Sequence, residues 1–341
     1  MLRLAYIGNH EESLELLLAE RSFDVRAVNL NPEFLRPTRN PADELFRRTY
    51  RTLRDRPRLR TSAVELALLR GAAPFMTSPF RDYVGYLERV ARRGLELVDF
   101  DQAEEGARYL REHAIDLLVV NDWWMLAGAV VTAPRLGAVN VHPSILPAYR
   151  GSLPTLWSLK NGDAETAVSY MLLSAGMDNG RLIAQHRFPI ARTRDPLDLE
   201  AQIDTVIRRT LVEDIKAYAD GRLRPVPQRK EGASKTAKYD AYRKIAWREE
   251  RARDVVTKIR YYPHMWPTHS CFTLLDGERL DLWEAAQAEG EARLQPGEFE
   301  VRLPRLVIQA SDGAVSVNLL SGLRGKALAR ILWRRRGRFD D

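Results

Sequence analysis

Three side chains suited to hydrogen bonding and proton transfer lie in residues 139–180. Asn140 and His142 are two residues apart in the apolar run LGAVNVH, which Pro143 ends. On a β-strand this spacing puts both side chains on one face, at the carboxyl end of the strand. Asp178 follows in the turn AGMDNG. A carboxamide and an imidazole can donate hydrogen bonds to a developing oxyanion, and a carboxylate can accept a proton.

Each of these residues also has an ordinary structural interpretation. A single histidine near the end of a strand is often only hydrogen bonded, and both asparagine and aspartate are common turn formers. From type and spacing alone, the structural and the catalytic interpretation carry about equal weight.

The surrounding sequence predicts the elements that would position these side chains. The chain opens with a predicted strand over 2–8, a helix over 11–20 and a strand over 23–30. Further strands are predicted at 115–122, 136–142, 166–174 and 181–190, followed by a helix from Pro196 to Ala219. We expect an open, mostly parallel α/β sheet with helices on both faces. Ligands collect outside the carboxyl ends of the strands in such sheets. Within 32–100, ADELFRRTYRTL and YVGYLERVARRGLELV have helical spacing.

A basic, proline-containing stretch divides the chain. We predict a catalytic domain over residues 1–221, a linker over 222–235 and a C-terminal β-rich domain with a basic tail over 236–341. In the last region we expect a helix from Glu249 to Tyr261 that stops at Pro263. Two hairpins with DG turns follow, in SCFTLLDGERLDLWEA and LVIQASDGAVSVNLL, which favours a small β-barrel-like domain.

Composition fits two folded domains in 341 residues, of which 45% are hydrophobic. The net charge is +7, and residues from Gly221 onward carry +8 against −1 for the rest. A single cysteine excludes an internal disulfide and a cysteine-cluster metal site, and fits a reducing compartment. No apolar run approaches a membrane span and no cleavable leader is evident, so we expect a cytoplasmic protein.

Several enzyme classes lack their motifs here. The chain contains no GxxxxGK[ST], GxSxG or HExxH. The turn IGNHEES has no spaced glycines and puts Glu11 and Glu12 where a pyrophosphate would sit, which argues against a dinucleotide site. His264 and His269 do not have helical metal-ligand spacing.

Two long segments, NVHPSILPAYRG and WSLKNGDAETAVSYMLLSAGMDNGRLIAQ, resemble the folate-dependent formyltransferase family. That family includes methionyl-tRNA formyltransferase, amino-sugar formyltransferases and glycinamide ribonucleotide transformylase. Its pattern is Asn-x-His, then SLLP and RG, a downstream NGD or NGE with Glu-Thr, and an Asp in a DxG turn. The segment WPTHSCFTLLDGERLDLWEA is similar to the C-terminal domain of methionyl-tRNA formyltransferase.

The resemblance implies a Rossmann-like catalytic domain, an OB-like C-terminal domain and 10-formyltetrahydrofolate as formyl donor, without a metal. It assigns Asn140, His142 and Asp178 as catalytic residues, with Ser144 supporting the site or capping its loop. The pterin site maps to the loop of Trp124, Met125 and Leu126 and to Gly176 and Met177. Trp123 belongs to this pocket or to the core.

The departures from the family pattern concern the acceptor. GNHEES, NDWWML and RGSLPTLWSL replace turns typical of the tRNA enzyme. We therefore expect another primary amine, such as an amino sugar on a nucleotide. Tyr149 and Arg150 are candidates to bind it, although Arg150 could equally pin its loop. The alternatives are methionyl-tRNA, which the basic C-terminal region would attract, hydrolysis of formyltetrahydrofolate, and an RNA-binding module without activity.

Overall fold

The parallel part of the main sheet forms from five short apolar strands. The computed structural model describes residues 1–8, 10–29, 41–54, 63–75, 78–121, 125–192, 195–236, 243–265, 270–288, 294–318 and 331–340. The strands of this sheet are β1 (Leu2–Gly8), β2 (Phe23–Asn29), β3 (Glu96–Val98), β4 (Leu117–Asn121), β5 (Ala138–His142), β6 (Glu165–Leu172) and β7 (Leu182–Pro189). β4 and β5 are buried along their whole length, as expected for strands covered on both faces.

The strand order is β3-β2-β1-β4-β5-β6-β7. The pairs from β3 to β5 are parallel, whereas β6 runs antiparallel to both β5 and β7. The chain direction across the sheet reverses between β1 and β4. In an open sheet this reversal creates a crevice at the carboxyl ends of the strands, and β5 with His142 at its end lies next to it. The predicted mostly parallel α/β sheet is confirmed.

The helices connect these strands in the order expected for crossover units. They are α1 (Glu11–Ala19), α2 (Pro41–Arg54), α3 (Ala63–Ala72), α4 (Ser78–Arg92), α5 (Ala103–Glu112), α6 (Gly128–Thr132), α7 (Pro154–Asn161), α8 (Pro196–Ala219) and α9 (Ala252–Met265). Helix α8 has the predicted bounds.

The C-terminal region consists of antiparallel strands, as predicted. They are β8 (Cys271–Leu275), β9 (Glu278–Leu282), β10 (Ala285–Gln287), β11 (Glu298–Arg302), β12 (Arg305–Gln309), β13 (Ala314–Asn318) and β14 (Arg336–Arg338). β8 pairs with β9, and the others form a sheet in the order β10-β13-β12-β11-β14. Both predicted hairpins are present. Asp276 and Gly277 adopt φ of 52° and 75°, the left-handed pair that a two-residue hairpin turn requires.

The predicted bounds of two helices are wrong, and helix α9 begins at Ala252 rather than at Glu249. The helix predicted to run through LELV ends earlier, at Arg92, because Gly94 turns the chain with φ of 68°. Leu95 N then bonds the Val90 carbonyl, a glycine-dependent helix termination, and residues 96–98 become β3. Helix α9 continues past Pro263 to Met265. A proline in the last turn removes few helical bonds, and buried Tyr261 and Tyr262 hold this turn in place.

Contacts divide the chain into two units. The first contains Met1–Arg150, Ala164–Ile190 and Glu200–Lys235; the second contains Gly151–Asp163, Ala191–Leu199 and Thr236–Asp341. The core of the second unit includes stacked Trp247 and Phe339, with Phe299 4.8 Å from Phe339 between ring centroids. Buried Trp247 donates its indole N–H to Thr273 at 2.9 Å.

Across the described residues, no helix combines the length and the apolar character that a membrane crossing demands.

Candidate active site

The carboxyl end of β5 presents the first two candidate catalytic residues. Asn140 lies beside Val120 of β4 and Met171 of β6, and His142 lies beside Ser169 of β6. Alternation along the strand puts the Asn140 and His142 side chains on one face of the sheet. Their exposed fractions are only 8% and 5%. Among the described residues, the Asn140 amide has no hydrogen-bond partner, and its polar atoms are not fully buried.

The ring of His142 is oriented by the loop that follows β5. Its Nε2 donates to the Tyr149 carbonyl oxygen at 3.0 Å. Because a carbonyl oxygen only accepts, this bond fixes the proton on Nε2. Nδ1 then faces the Asp178 carboxylate, with 3.9 Å between Nδ1 and Oδ2. That distance is too long for a direct hydrogen bond, so the pair attracts as ions when the imidazole is protonated.

The loop between β6 and β7 carries Asp178. Its backbone is left-handed, with φ of 45°, and its side chain is 16% exposed. The loop approaches β6 closely at Gly180, where a Cβ would lie 1.6 Å from the Leu172 carbonyl oxygen. Only glycine permits this approach. Asp178 therefore comes to His142 through a tightly constrained turn.

Ser144 holds the loop after β5. Its hydroxyl, which is fully buried, donates to the Ala148 carbonyl at 2.8 Å, and its own carbonyl accepts from the Ser169 hydroxyl at 2.6 Å. Gln185 reaches from β7 to the Leu146 carbonyl. Of the two interpretations of Ser144 from the sequence, the contacts support loop capping.

The residues predicted to bind the pterin are described in part. Met125 is 65% exposed, while half-buried Leu126 packs against the buried cluster that includes Val120 and Val130. In the other loop Met177 is 46% exposed and Gly176 is half-buried. Asp122, Trp123 and Trp124 lie outside the described residues. The folate assignments therefore remain predictions.

The two predicted acceptor residues contribute to the loop structure. Tyr149 has a left-handed backbone with φ of 59° and supplies the carbonyl that orients His142. Arg150 donates from Nε and Nη2 to the side-chain oxygen of Gln228, at 3.1 and 2.6 Å. Loop pinning by Arg150, one of the two sequence interpretations, is thus present. Contact with an acceptor remains a prediction for both residues.

Gln228 is a residue that the sequence analysis did not identify. It lies in the stretch predicted as a linker, and its amide nitrogen donates to the carbonyls of Asp178 and Gly180, each at 2.8 Å. A proline-rich linker composition gave no sign of this role.

Another group of potential metal ligands lies at the start of α1. Ligand atoms of His10, Glu12 and Asp204 come within 4.8 Å of one another. However, His10 Nε2 is 2.7 Å from Asp204, and Glu12 pairs with Arg208. His10 also caps α1 by accepting from Ser13 N. The three side chains therefore have partners within the protein, with neutral His10 as a hydrogen-bonded helix cap.

The chain matches known proteins over both of its regions. A model described as "Formyl transferase" matches residues 97–215, and one described as "Formyl transferase, C-terminal domain" matches residues 239–334. The methionyl-tRNA formyltransferase of Sorangium cellulosum is 34% identical over 207 residues, covering 60% of this chain and 65% of the relative. That of Paraburkholderia phymatum is 31% identical over 234 residues, covering 67% and 69%. The chain spans 53–65% of the length of the first curated relatives it matches.

Solved structures share the fold at low identity. HypX from Aquifex aeolicus superposes with a TM-score of 0.58 and 16% identity, covering 98% of this chain and 47% of that one. An N-formyltransferase from Helicobacter canadensis, solved with folinic acid and dTDP-3-aminofucose, gives 0.53 and 15%, covering 93% and 99%. Together with the two matching models and the relatives, the geometry of the site leads to one conclusion: the chain belongs to the formyl transferase family.

Proposed function

We propose that this chain transfers the formyl group of 10-formyltetrahydrofolate to a primary amine. The observation that carries the proposal is the Asn140 amide, which has no hydrogen-bond partner in the described part of the chain and shares a strand face with His142, whose Nδ1 faces Asp178. Because this amide makes no hydrogen bond within the described residues, its donors and its acceptor are available to a ligand. An amide donor suits the oxygen of a formyl group.

The reaction needs two kinds of help from the protein. When the amine nitrogen forms its bond to the formyl carbon, the formyl oxygen becomes an oxyanion. Asn140 donates to that oxygen from its amide, and protonated His142 donates from Nδ1, since Nε2 is already bound to the Tyr149 carbonyl. The nearby Asp178 carboxylate stabilises the imidazolium.

Proton transfer completes the exchange. The attacking nitrogen loses one proton, which Asp178 accepts directly or through a water molecule. The bond between the folate nitrogen and the formyl carbon then breaks, and that nitrogen takes up one proton, donated by His142. The products are a formamide and tetrahydrofolate, so atoms and charges balance without a metal or an external reductant.

The acceptor in this proposal is an amine other than initiator tRNA, such as an amino sugar carried on a nucleotide. Three arginines of the basic tail support this choice, because they are paired within the protein. Arg334 pairs with Asp276, Arg336 with Glu300 and Arg338 with Glu298. Their charge is therefore partly neutralised before any phosphate backbone approaches.

Methionyl-tRNA is the second candidate acceptor. It is favoured by the relatives, which are named methionyl-tRNA formyltransferases, and by the match to the C-terminal domain model. The charge of +8 from Gly221 onward points the same way.

A product assay separates the candidates. Purified chain is incubated with 10-formyltetrahydrofolate and, in separate reactions, amino-sugar nucleotides, methionyl-tRNA or buffer. Mass spectrometry should find one added CO unit on a sugar nucleotide. Formylated methionyl-tRNA would show that the acceptor is methionyl-tRNA and not an amino-sugar nucleotide. Formate release with buffer alone would indicate hydrolysis, and no product with any acceptor would refute the transferase proposal.

A further inference from the structure

The segment that follows α8 runs alongside both loops of the candidate site. We call residues 225–235 the strap. At its start, Val226 and Leu182 exchange backbone hydrogen bonds of 2.8 Å in each direction. Arg181 adds a bond from its Nε to the Pro225 carbonyl at 2.9 Å. This end of the strap is therefore fixed beside the residues that follow Asp178.

The other end of the strap is fixed to the loop after β5. Tyr149 N donates to the Ser234 hydroxyl at 2.9 Å, and Arg150 N donates to the Ser234 carbonyl at 3.0 Å. Ser234 N in turn donates to the Pro147 carbonyl at 3.2 Å. The strap thus contacts the backbone of the residue whose carbonyl orients His142.

Gln228 joins the two loops through a single side chain. Its amide nitrogen donates to the carbonyls of Asp178 and Gly180, and its oxygen accepts two bonds from Arg150. Both donors and the acceptor of one carboxamide are used. Glutamate keeps the acceptor but has no donor when ionised, and it would put a negative charge against two carbonyl oxygens.

The two loops need such support because their key residues have costly backbones. Asp178 and Tyr149 both have positive φ, 45° and 59°, without being glycine. Such conformations cost free energy and persist only where the surroundings impose them. The contacts of the strap lie directly at these residues.

We infer that the strap sets the distance between Asp178 and His142, and that Gln228 is a positioning residue for the reaction. This inference rests on the proposed function of the site. Misplacement of a reacting group by about 1 Å can cost about 100-fold in rate. Loss of the Gln228 bonds should therefore reduce kcat while leaving the fold intact.

The test compares Gln228→Glu with Gln202→Glu in the full chain. Gln202 on α8 donates its amide to the Pro189 carbonyl at 3.1 Å, so the control removes the same kind of donor outside the site. We expect Gln228→Glu to lower kcat by about 10- to 100-fold with little change in the KM of the amine. The control should behave like the wild type.

Hydrogen exchange provides a readout that does not need turnover. In Gln228→Glu, exchange should accelerate in peptides containing residues 178–182 and 147–150, but not in the rest of the sheet. Ser234→Ala should reproduce the effect at 147–150, and Ser234→Thr, which keeps the hydroxyl, should restore slow exchange.

The outcomes are distinguishable from failure of the proposed function. Unchanged hydrogen exchange in Gln228→Glu would refute the inference that the strap orders the two loops, whatever the activity of the variant. Faster hydrogen exchange together with a wild-type kcat would refute the inference that Gln228 positions the catalytic residues. If the wild type turns over no acceptor, the proposed function fails, while accelerated exchange would still establish that the strap orders both loops.

Discussion

Asn140 is the residue at which activity and stability should respond differently. The residue is 8% exposed and its amide has no partner among the described residues, so removing the amide breaks no hydrogen bond among them. We expect Asn140→Ala to lower kcat by about 10²–10³, the usual loss for one oxyanion donor. The thermal unfolding midpoint should be unchanged, because no hydrogen bond within the described residues is lost.

The matched control is Asn318→Ala, at the end of β13, where the amide donates to Glu284. This variant should keep the wild-type kcat. An Asn140→Ala enzyme with full kcat, or one that unfolds well below the wild type, would show that the amide is structural.

How far the site could be predicted differs from residue to residue. Asn140 and His142 follow from strand alternation, because a period of two fixes which side chains share a face. Asp178 was linked to them only through the family resemblance, since loop closure leaves no periodic signal. Gln228 was not identified because its amide nitrogen bonds backbone carbonyls, which every residue possesses, and its oxygen bonds Arg150 far away in the sequence. No spacing rule encodes such contacts.

At the scale of elements, the burial of β8 can be tested through the thiol of Cys271, its first residue. Burial raises the pKa of the Cys271 thiol to about 12, and the residue is fully buried. The thiolate is the reactive form. We therefore expect no reaction of native protein with an aromatic disulfide reagent at pH 8, and one reacting thiol per chain in denaturant. Rapid labelling of the native chain would contradict the burial of β8.

The same pKa predicts a pH dependence of stability. An unfolded thiol ionises near pH 8.5, whereas the folded one stays protonated to about pH 12. Above pH 8.5 the unfolded state therefore binds fewer protons, and the free energy of unfolding falls as the pH rises. Urea unfolding at pH 7.5 and 10 should show a larger loss for wild type than for Cys271→Ala. Equal losses would contradict the prediction.

Elements with strong local signals were predictable, and those decided by tertiary contacts were not. The DG turn at Asp276 and Gly277 and the bounds of α8 follow from turn chemistry and helical period. In contrast, ELV at 96–98 continues a helical pattern, yet pairs with β2 once Gly94 has ended the helix. Sheet pairing outweighs the local pattern there.

For the whole molecule, the distribution of charge bears on the acceptor. The excess positive charge lies beyond residue 220, but three of the tail arginines, Arg334, Arg336 and Arg338, are paired with carboxylates. With a small amine acceptor, we expect kcat/KM to change less than about tenfold between roughly 50 and 200 mM salt. An acceptor held through six to ten phosphate contacts would lose about 10³–10⁵ in affinity. A loss of that size would favour tRNA.

The central claim is that His142 acts in formyl transfer. The most direct test follows tetrahydrofolate release from 10-formyltetrahydrofolate by ultraviolet absorbance, with and without each acceptor class, in wild type and His142→Ala. His186→Ala is the matched control. His186 lies on β7, and its Nε2 is 2.5 Å from Asp214 Oδ2. We predict acceptor-dependent turnover that falls by about 10²–10⁴ in His142→Ala and persists in the control. Wild-type turnover in His142→Ala would contradict the account.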